Sequence, residues 1–209
     1  MLLGGLGNTS FVGVPMVEAF YGVSGIPTAI VVDQLGSFFV LSVLGITVAG
    51  IYSSGRPTVS EIAKRIVLFP PFIALAIAFL LIPIEYAVWF TAVLKRLSDT
   101  LAPLALFSVG MQLRLGHIAE FKRNLALGLV FKLILAPLAL YLLYVQVLGA
   151  HGPAIQVTLF EAAMPPMIAA AIVSNQHDLD PPLTNLLVAV GIVLSFITLS
   201  GWWYALGAV

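Results

Sequence analysis

The 209-residue sequence contains no cysteine, so disulfides, thiolate chemistry and iron–sulfur ligation are excluded. Charge is nearly as scarce. Nine acidic and nine basic residues make up 9% of the chain, against roughly a quarter in a soluble domain. With a formal net charge of zero there is no basic surface to argue for nucleic acid or anionic headgroups. The opening "MLLGGLG" has no basic region and reads as part of a span, not as a signal peptide. What remains is apolar: 61% of residues, with a mean hydropathy of +1.11. Such a chain is expected to live in lipid as an all-α membrane protein, because a helix satisfies its own backbone groups where water cannot.

A span length of about 20 residues divides the chain into seven candidates, near 1–21, 26–51, 65–82, 99–115, 124–148, 154–175 and 183–206. The stretch "IEYAVWFTAVLKRLSD" between the third and fourth is too charged at its end to span. Its Tyr86, Trp89 and Phe90 suit a helix lying in the interface. Orientation follows from the basic residues. Arg56, Lys64 and Arg65 lie in one loop and Arg114, Lys122 and Arg123 in another, while the alternate loops hold only Lys95 and Arg96. The positive-inside rule puts the first two loops in the cytoplasm and Val209 outside. Lys132, a few residues into the fifth span, is expected to snorkel to the cytoplasmic face and is given no role.

Two spans break their own helices. The first carries Gly7-Asn8, then Gly13 and Pro15; the sixth carries Pro165-Pro166. Consecutive prolines remove two amide donors and clash with the preceding turn, so that helix is expected to stop near Met164 and restart at Pro165. The first is expected to restart at Thr9, with Asn8 as its cap. In lipid, freed backbone groups are tolerated where protein or a water-filled cavity satisfies them.

A shift of 158 residues lays Gly7-Asn8 on Pro165-Pro166, Ser37-Phe38 on Ser195-Phe196 and Leu41-Ser42 on Leu199-Ser200. Each unit is a broken span followed by an unbroken one, and the topology runs them in opposite directions. That pattern marks an inverted repeat, with residues 1–51 ending the first, 52–65 a cytoplasmic loop and 66–209 the second. Only seven residues precede Asn8, about 10 Å of helix, so the chain is expected to start mid-span.

"GNTSFVGVP" with "EAFYG", "VVDQLG" of the second span, "LAPLALFSVGMQL" of the fourth and "EAAMPPMIAAAIV" of the sixth resemble the auxin efflux carrier family in its prokaryotic branch. The resemblance runs along essentially the whole chain. It implies a secondary transporter whose ten spans form two inverted five-span repeats with crossing broken helices, the seven spans here corresponding to the fourth through tenth. It also implies carriage of organic anions, dicarboxylates such as malonate in bacterial members and auxin in plant ones. The first three spans of that pattern are absent here, so a non-transporting fragment or an assembly partner stands as the alternative.

The physics of the breaks agrees in kind with an anion carrier. Two restarted half-helices would aim positive dipole ends toward one point, an anion site needing no basic side chain. Expected substrate contacts are Gly7, Asn8, Thr9, Met164, Pro165 and Pro166. Glu161, one turn from Pro165, and Asp33 in the second span are the candidates for proton or cation coupling, since buried carboxylates are costly and mark ion pathways. Ser108 and Gln112 form a polar stripe suited to gluing helices. His177, Asp178 and Asp180 imitate a metal cluster but lie beside Pro181-Pro182 and read as solvated loop. "GVSG" at Gly22–Gly25 matches an intramembrane serine protease motif, yet Ser24 lies in a loop and His117, His151 and His177 lie in or beside loops, without the base that serine would need. No cofactor, metal or nucleic acid is expected; the partners are lipid, a small organic anion and a coupling proton or cation, and self-association into a homo-oligomer stays open.

Overall fold

A computed structural model describes the chain except Met1, Ala208 and residues 54–57, 59, 61–62, 65–66, 69 and 113–117. The side chains of Ser108 and Gln112 also lie outside the described residues, as do Arg56, Arg65, Arg114 and His117. Among the described residues the regular structure is helical, with one isolated β-bridge.

Among the described residues, three uninterrupted helical spans are long and apolar enough to cross a membrane: Val23–Tyr52, Glu120–Val147 and Pro181–Leu206. They coincide with the second, fifth and seventh expected spans. Asp180 starts the last by accepting a hydrogen bond from Leu183 N at 3.4 Å, with Pro181 in the first turn, where a missing amide costs nothing. Exposed Leu35, Phe39, Phe196 and Ile197 give these spans the apolar outer faces that lipid demands. The first two are not regular throughout. They contain π-helical stretches at Val32–Phe38, Leu41–Gly45, Phe131–Leu135 and Leu142–Val147.

One expectation is corrected. The stretch read as a separate interfacial helix is continuous with the fourth span in a single helix, Val88–Gln112. The charges that suggested a boundary sit one turn apart, where Lys95 Nζ meets Asp99 at 2.8 Å along the helix surface. No glycine or proline separates Trp89 from Ser98, so propagation has no reason to stop there.

The first and sixth spans are both interrupted. The first consists of Leu2–Gly5, a non-helical link, and a π-helical turn at Thr9–Gly13 that runs into the helix Val14–Tyr21. The sixth consists of Pro153–Ala162 and Ile168–Gln176. The helices Val14–Tyr21 and Pro153–Ala162 pack together through aromatic rings, with Phe160 5.4 Å from Phe20 and 5.2 Å from Tyr21. On the other side of the breaks, Leu6 and Leu41 pack with Met167 and Val173. The two broken spans therefore cross inside the core, enclosed by the unbroken ones.

Candidate functional site: the crossing of the broken spans

The crossing is an antiparallel contact between two short extended links. Gly7 pairs with Pro166, Asn8 N donates to Pro165 O at 2.7 Å, and Met167 N donates to Leu6 O at 3.1 Å. Backbone groups that neither half-helix can use are thus satisfied by the other chain segment, the accounting that lipid requires. The first helix restarts at Thr9 as expected, with Asn8 as its cap: Asn8 Oδ1 accepts from Phe11 N at 3.2 Å. The second restart is corrected. Helix resumes at Ile168, after an extended Met167, because Pro165–Met167 are held in the paired link and cannot also turn into a helix.

Antiparallel register also changes the electrostatic picture. Thr9 lies alongside Met164, just past the end of the half-helix Pro153–Ala162, whereas Ile168 lies alongside Gly5, the end of Leu2–Gly5. Each restarted N-terminus therefore faces the C-terminal end of the other span. The two starts are four residues apart along the link, on the order of 13 Å at strand rise. Positive and negative dipole ends are interleaved across the crossing rather than gathered at one point.

The expected site residues divide into those facing one another and those committed elsewhere. Gly7, Asn8, Pro165 and Pro166 meet in the link, and a Cβ at Gly7 would lie 3.6 Å from Met164 Cβ. Thr9 Oγ1 donates to Asp33 Oδ1 at 2.6 Å, and Gln34 Nε2 donates to Asp33 Oδ2 at 2.7 Å, so both oxygens of that buried carboxylate accept a hydrogen bond. Glu161 differs. It is completely buried, and neither of its carboxylate oxygens has a partner among the described residues. Its head lies against Gly13, where any Cβ would overlap Oε2 and come within 2.8 Å of Oε1. Asn8 is likewise buried, and its Nδ2 has no partner among the described residues.

Lys132 was expected to snorkel and does not. It is 4% exposed and reaches into the crossing, where Nζ donates to Ala162 O at 3.0 Å and lies 3.3 Å from the Cβ position of Gly7. The reason is local chemistry. Ala162 O would normally receive the amide of residue 166, which is proline and has none. The same logic recurs nearby: Pro137 leaves Leu133 O without its amide, and Trp202 Nε1 fills the gap at 2.9 Å. A sequence signal for this role existed, since a proline names the carbonyl four residues earlier as needing a donor, but nothing in the order of residues says which span supplies it.

Residues set aside earlier have local roles. Ser24 Oγ donates to Tyr21 O at 3.2 Å, closing the end of a helix. His177 Nδ1 lies 2.9 Å from Val173 O. Beyond the crossing, a cavity of about 970 Å³ is bordered by Gly4, Gly5, Asn124, Gly128, Ser174 and Thr184.

A family model described as membrane transport protein matches residues 1–203. The chain is 31% identical over 198 residues to an uncharacterized transporter of Methanothermobacter thermautotrophicus, covering 93% of this chain and 63% of that protein. It is 26% identical over 212 residues to an uncharacterized transporter of Methanocaldococcus jannaschii, covering 97% of this chain and 67% of the relative. The chain therefore spans about two thirds of the length of these relatives.

Proposed function

From a chain that belongs to the auxin efflux carrier family of membrane transport proteins, we infer a secondary active carrier. It moves a small organic anion of the dicarboxylate class across the cytoplasmic membrane by alternating access, coupled to a proton or another cation. The observation that carries this reading is the crossing itself, a break in two spans held deep in the core with the Asn8 amide nitrogen buried and without a partner among the described residues. A buried donor of this kind costs about 1–3 kcal/mol unless a ligand or water accepts from it, and a carboxylate is a suitable acceptor. The cavity beside Gly4 and Gly5 supports a route toward the crossing from the cytoplasmic side.

The inverted-repeat organisation belongs to the same proposal. Under the 158-residue shift, Gly7 maps to Pro165 and Asn8 to Pro166. The pairing of Gly7 with Pro166 and that of Asn8 with Pro165 then exchange with each other, as a pseudo-twofold axis through the crossing requires. In this frame the first repeat ends at residue 51 and the second occupies 66–209, with the C-terminus outside. Glu161 is the coupling group, being a buried carboxylate without a partner among the described residues. Asp33, already satisfied by Thr9 and Gln34, supports the crossing.

Proteoliposome uptake of malonate, succinate and indole-3-acetate, with imposed proton and sodium gradients, tests this reading. Saturable, gradient-driven accumulation of at least one anion is expected. Glu161→Gln should still bind that anion while losing the accumulation. A folded, reconstituted protein that moves none of a broad panel of organic anions under either gradient would refute it. The absence of cysteine makes orientation testable in the same preparation: Ser53→Cys should be labelled from the cytoplasmic face and His151→Cys from the outer face.

A further inference from the structure

Two buried donors at the crossing have hydrogens left to give. The Lys132 ammonium carries three N–H groups, and Ala162 O, at 3.0 Å, is its one hydrogen-bond acceptor among the described residues. It forms no ion pair among them. Asp33 commits both carboxylate oxygens to Thr9 and Gln34, and the Glu161 head rests against Gly13 with no donor reaching it among the described residues. The second donor is Asn8 Nδ2, buried and without an acceptor among the described residues. Both belong to the same short piece of backbone: Nζ lies 3.3 Å from the Cβ position of Gly7, and Asn8 follows Gly7 in the chain. Serving a proline-orphaned carbonyl does not require a charge, as the Trp202 indole shows at Leu133 O. A buried ammonium without a counter-ion, beside a buried amide without an acceptor, costs free energy in the empty protein. One carboxylate placed between them would answer both.

On the reading of this chain as an organic-anion carrier, we propose that Lys132 is its substrate-binding cation: the ammonium, anchored by Ala162 O, and the Asn8 amide together hold a carboxylate of the anion beside Gly7. The anchor fixes Nζ and leaves two N–H groups for the ligand. Gly7 makes room, since a side chain there would press on Nζ. The interleaved helix ends supply the reason that a side chain is needed. Their positive poles do not gather at one point, so the charge that holds an anion has to come from elsewhere. Access is provided on both sides of the pair: the cavity of about 970 Å³ is bordered by Phe131, which precedes Lys132, and by Gly5, two residues before Gly7.

Binding and transport are measured separately. Thermal unfolding of the detergent-solubilised protein is followed against rising malonate, succinate or indole-3-acetate, with chloride holding the ionic strength constant and succinamide as the uncharged control. The native protein should be stabilised saturably by at least one anion, by about 2–8 °C, and not by succinamide. Lys132→Met should bind that anion at least about tenfold more weakly. Its midpoint in chloride should stay within about 4 °C of native, because a buried charge is removed together with the hydrogen bond. Lys132→Gln, which keeps an N–H donor without the charge, should behave in the same way. In proteoliposomes both variants should raise the KM for the transported anion at least about tenfold. Where the native protein transports without a measurable midpoint shift, the KM alone decides. Either folded variant binding or transporting the anion within about threefold of native would overturn the proposal and leave Lys132 as a donor to Ala162 O, with the carrier reading intact. Loss of the folded protein in both variants would also overturn it, by making the lysine structural. A native protein that neither responds to nor transports any of the anions sinks the carrier reading and the proposal together.

Discussion

The two breaks reach the same geometry by opposite chemistry. At Gly7-Asn8 every backbone donor is present, and the link supplies its own cap: Asn8 gives its amide to Pro165 O while its side chain closes the next helix through Phe11 N. At Pro165-Pro166 two donors are missing, and the acceptor left behind is served by a side chain from a distant span. The first break is nearly self-contained, whereas the second ties the Glu120–Val147 span to the crossing through Lys132. A break made by proline in lipid exports its unmet hydrogen bond, so a neighbouring helix is drawn in to complete it. The Pro137–Leu133–Trp202 arrangement repeats this with a neutral indole donor.

Restoring the missing donors should have the largest effect on that contrast. Replacing Pro165 and Pro166 together with alanine removes two residues disfavoured in helix interiors by about 3 kcal/mol each. A continuous helix would withdraw Met167 N from Leu6 O, and uptake into proteoliposomes should fall at least about tenfold with protein still in the membrane. Uptake within about twofold of native would show that the crossing is not the transport site.

A smaller effect is expected from Gly13→Ala, which places a methyl against the Glu161 head. Overpacking of this kind costs about 1–3 kcal/mol, a midpoint loss of roughly 2–12 °C. Gly5→Ala, with open space around its Cβ position, should leave the midpoint unchanged. Combining Gly13→Ala with Glu161→Ala should recover part of the loss, because the three atoms nearest the added methyl all belong to Glu161. Equal losses at Gly5 and Gly13 would break the assignment of Gly13 to the carboxylate.

The smallest change in stability should come from Asn8→Ser. Serine keeps the cap, so the midpoint should move by no more than about 1–2 °C. It removes the buried amide nitrogen, so affinity for the transported anion should drop about tenfold, on the order of 1.4 kcal/mol. Asn8→Ala should lose the cap as well and add a further ~1 kcal/mol of destabilisation. Unchanged affinity in Asn8→Ser would reduce Asn8 to a helix cap.

Local chemistry made the breaks readable in advance. Glycine, asparagine and tandem proline impose their constraints within one turn, so the positions of both interruptions and the capping role of Asn8 follow from the residues alone. The three long apolar spans were equally open to reading, because each satisfies its backbone internally. The restart at Ile168 was not, since Pro165 and Pro166 would start a helix well if nothing else claimed their segment. The extended pairing with Leu6–Asn8 claims it.

The fate of the charged groups divides along the same line. Sequence alone determined that few charges exist, that Glu161 and Asp33 lie within apolar stretches, and that a proline at 166 leaves Ala162 O without an amide. Only the tertiary structure decided that Asp33 is satisfied by Thr9 and Gln34, that Glu161 rests against Gly13, and that Lys132 turns into the core to meet Ala162 O. Position along a helix sets how far a lysine lies from the membrane surface. Which way it turns depends on whether another span offers an oxygen that water cannot reach, and that depends on how spans bearing residues 30 apart in the chain pack together.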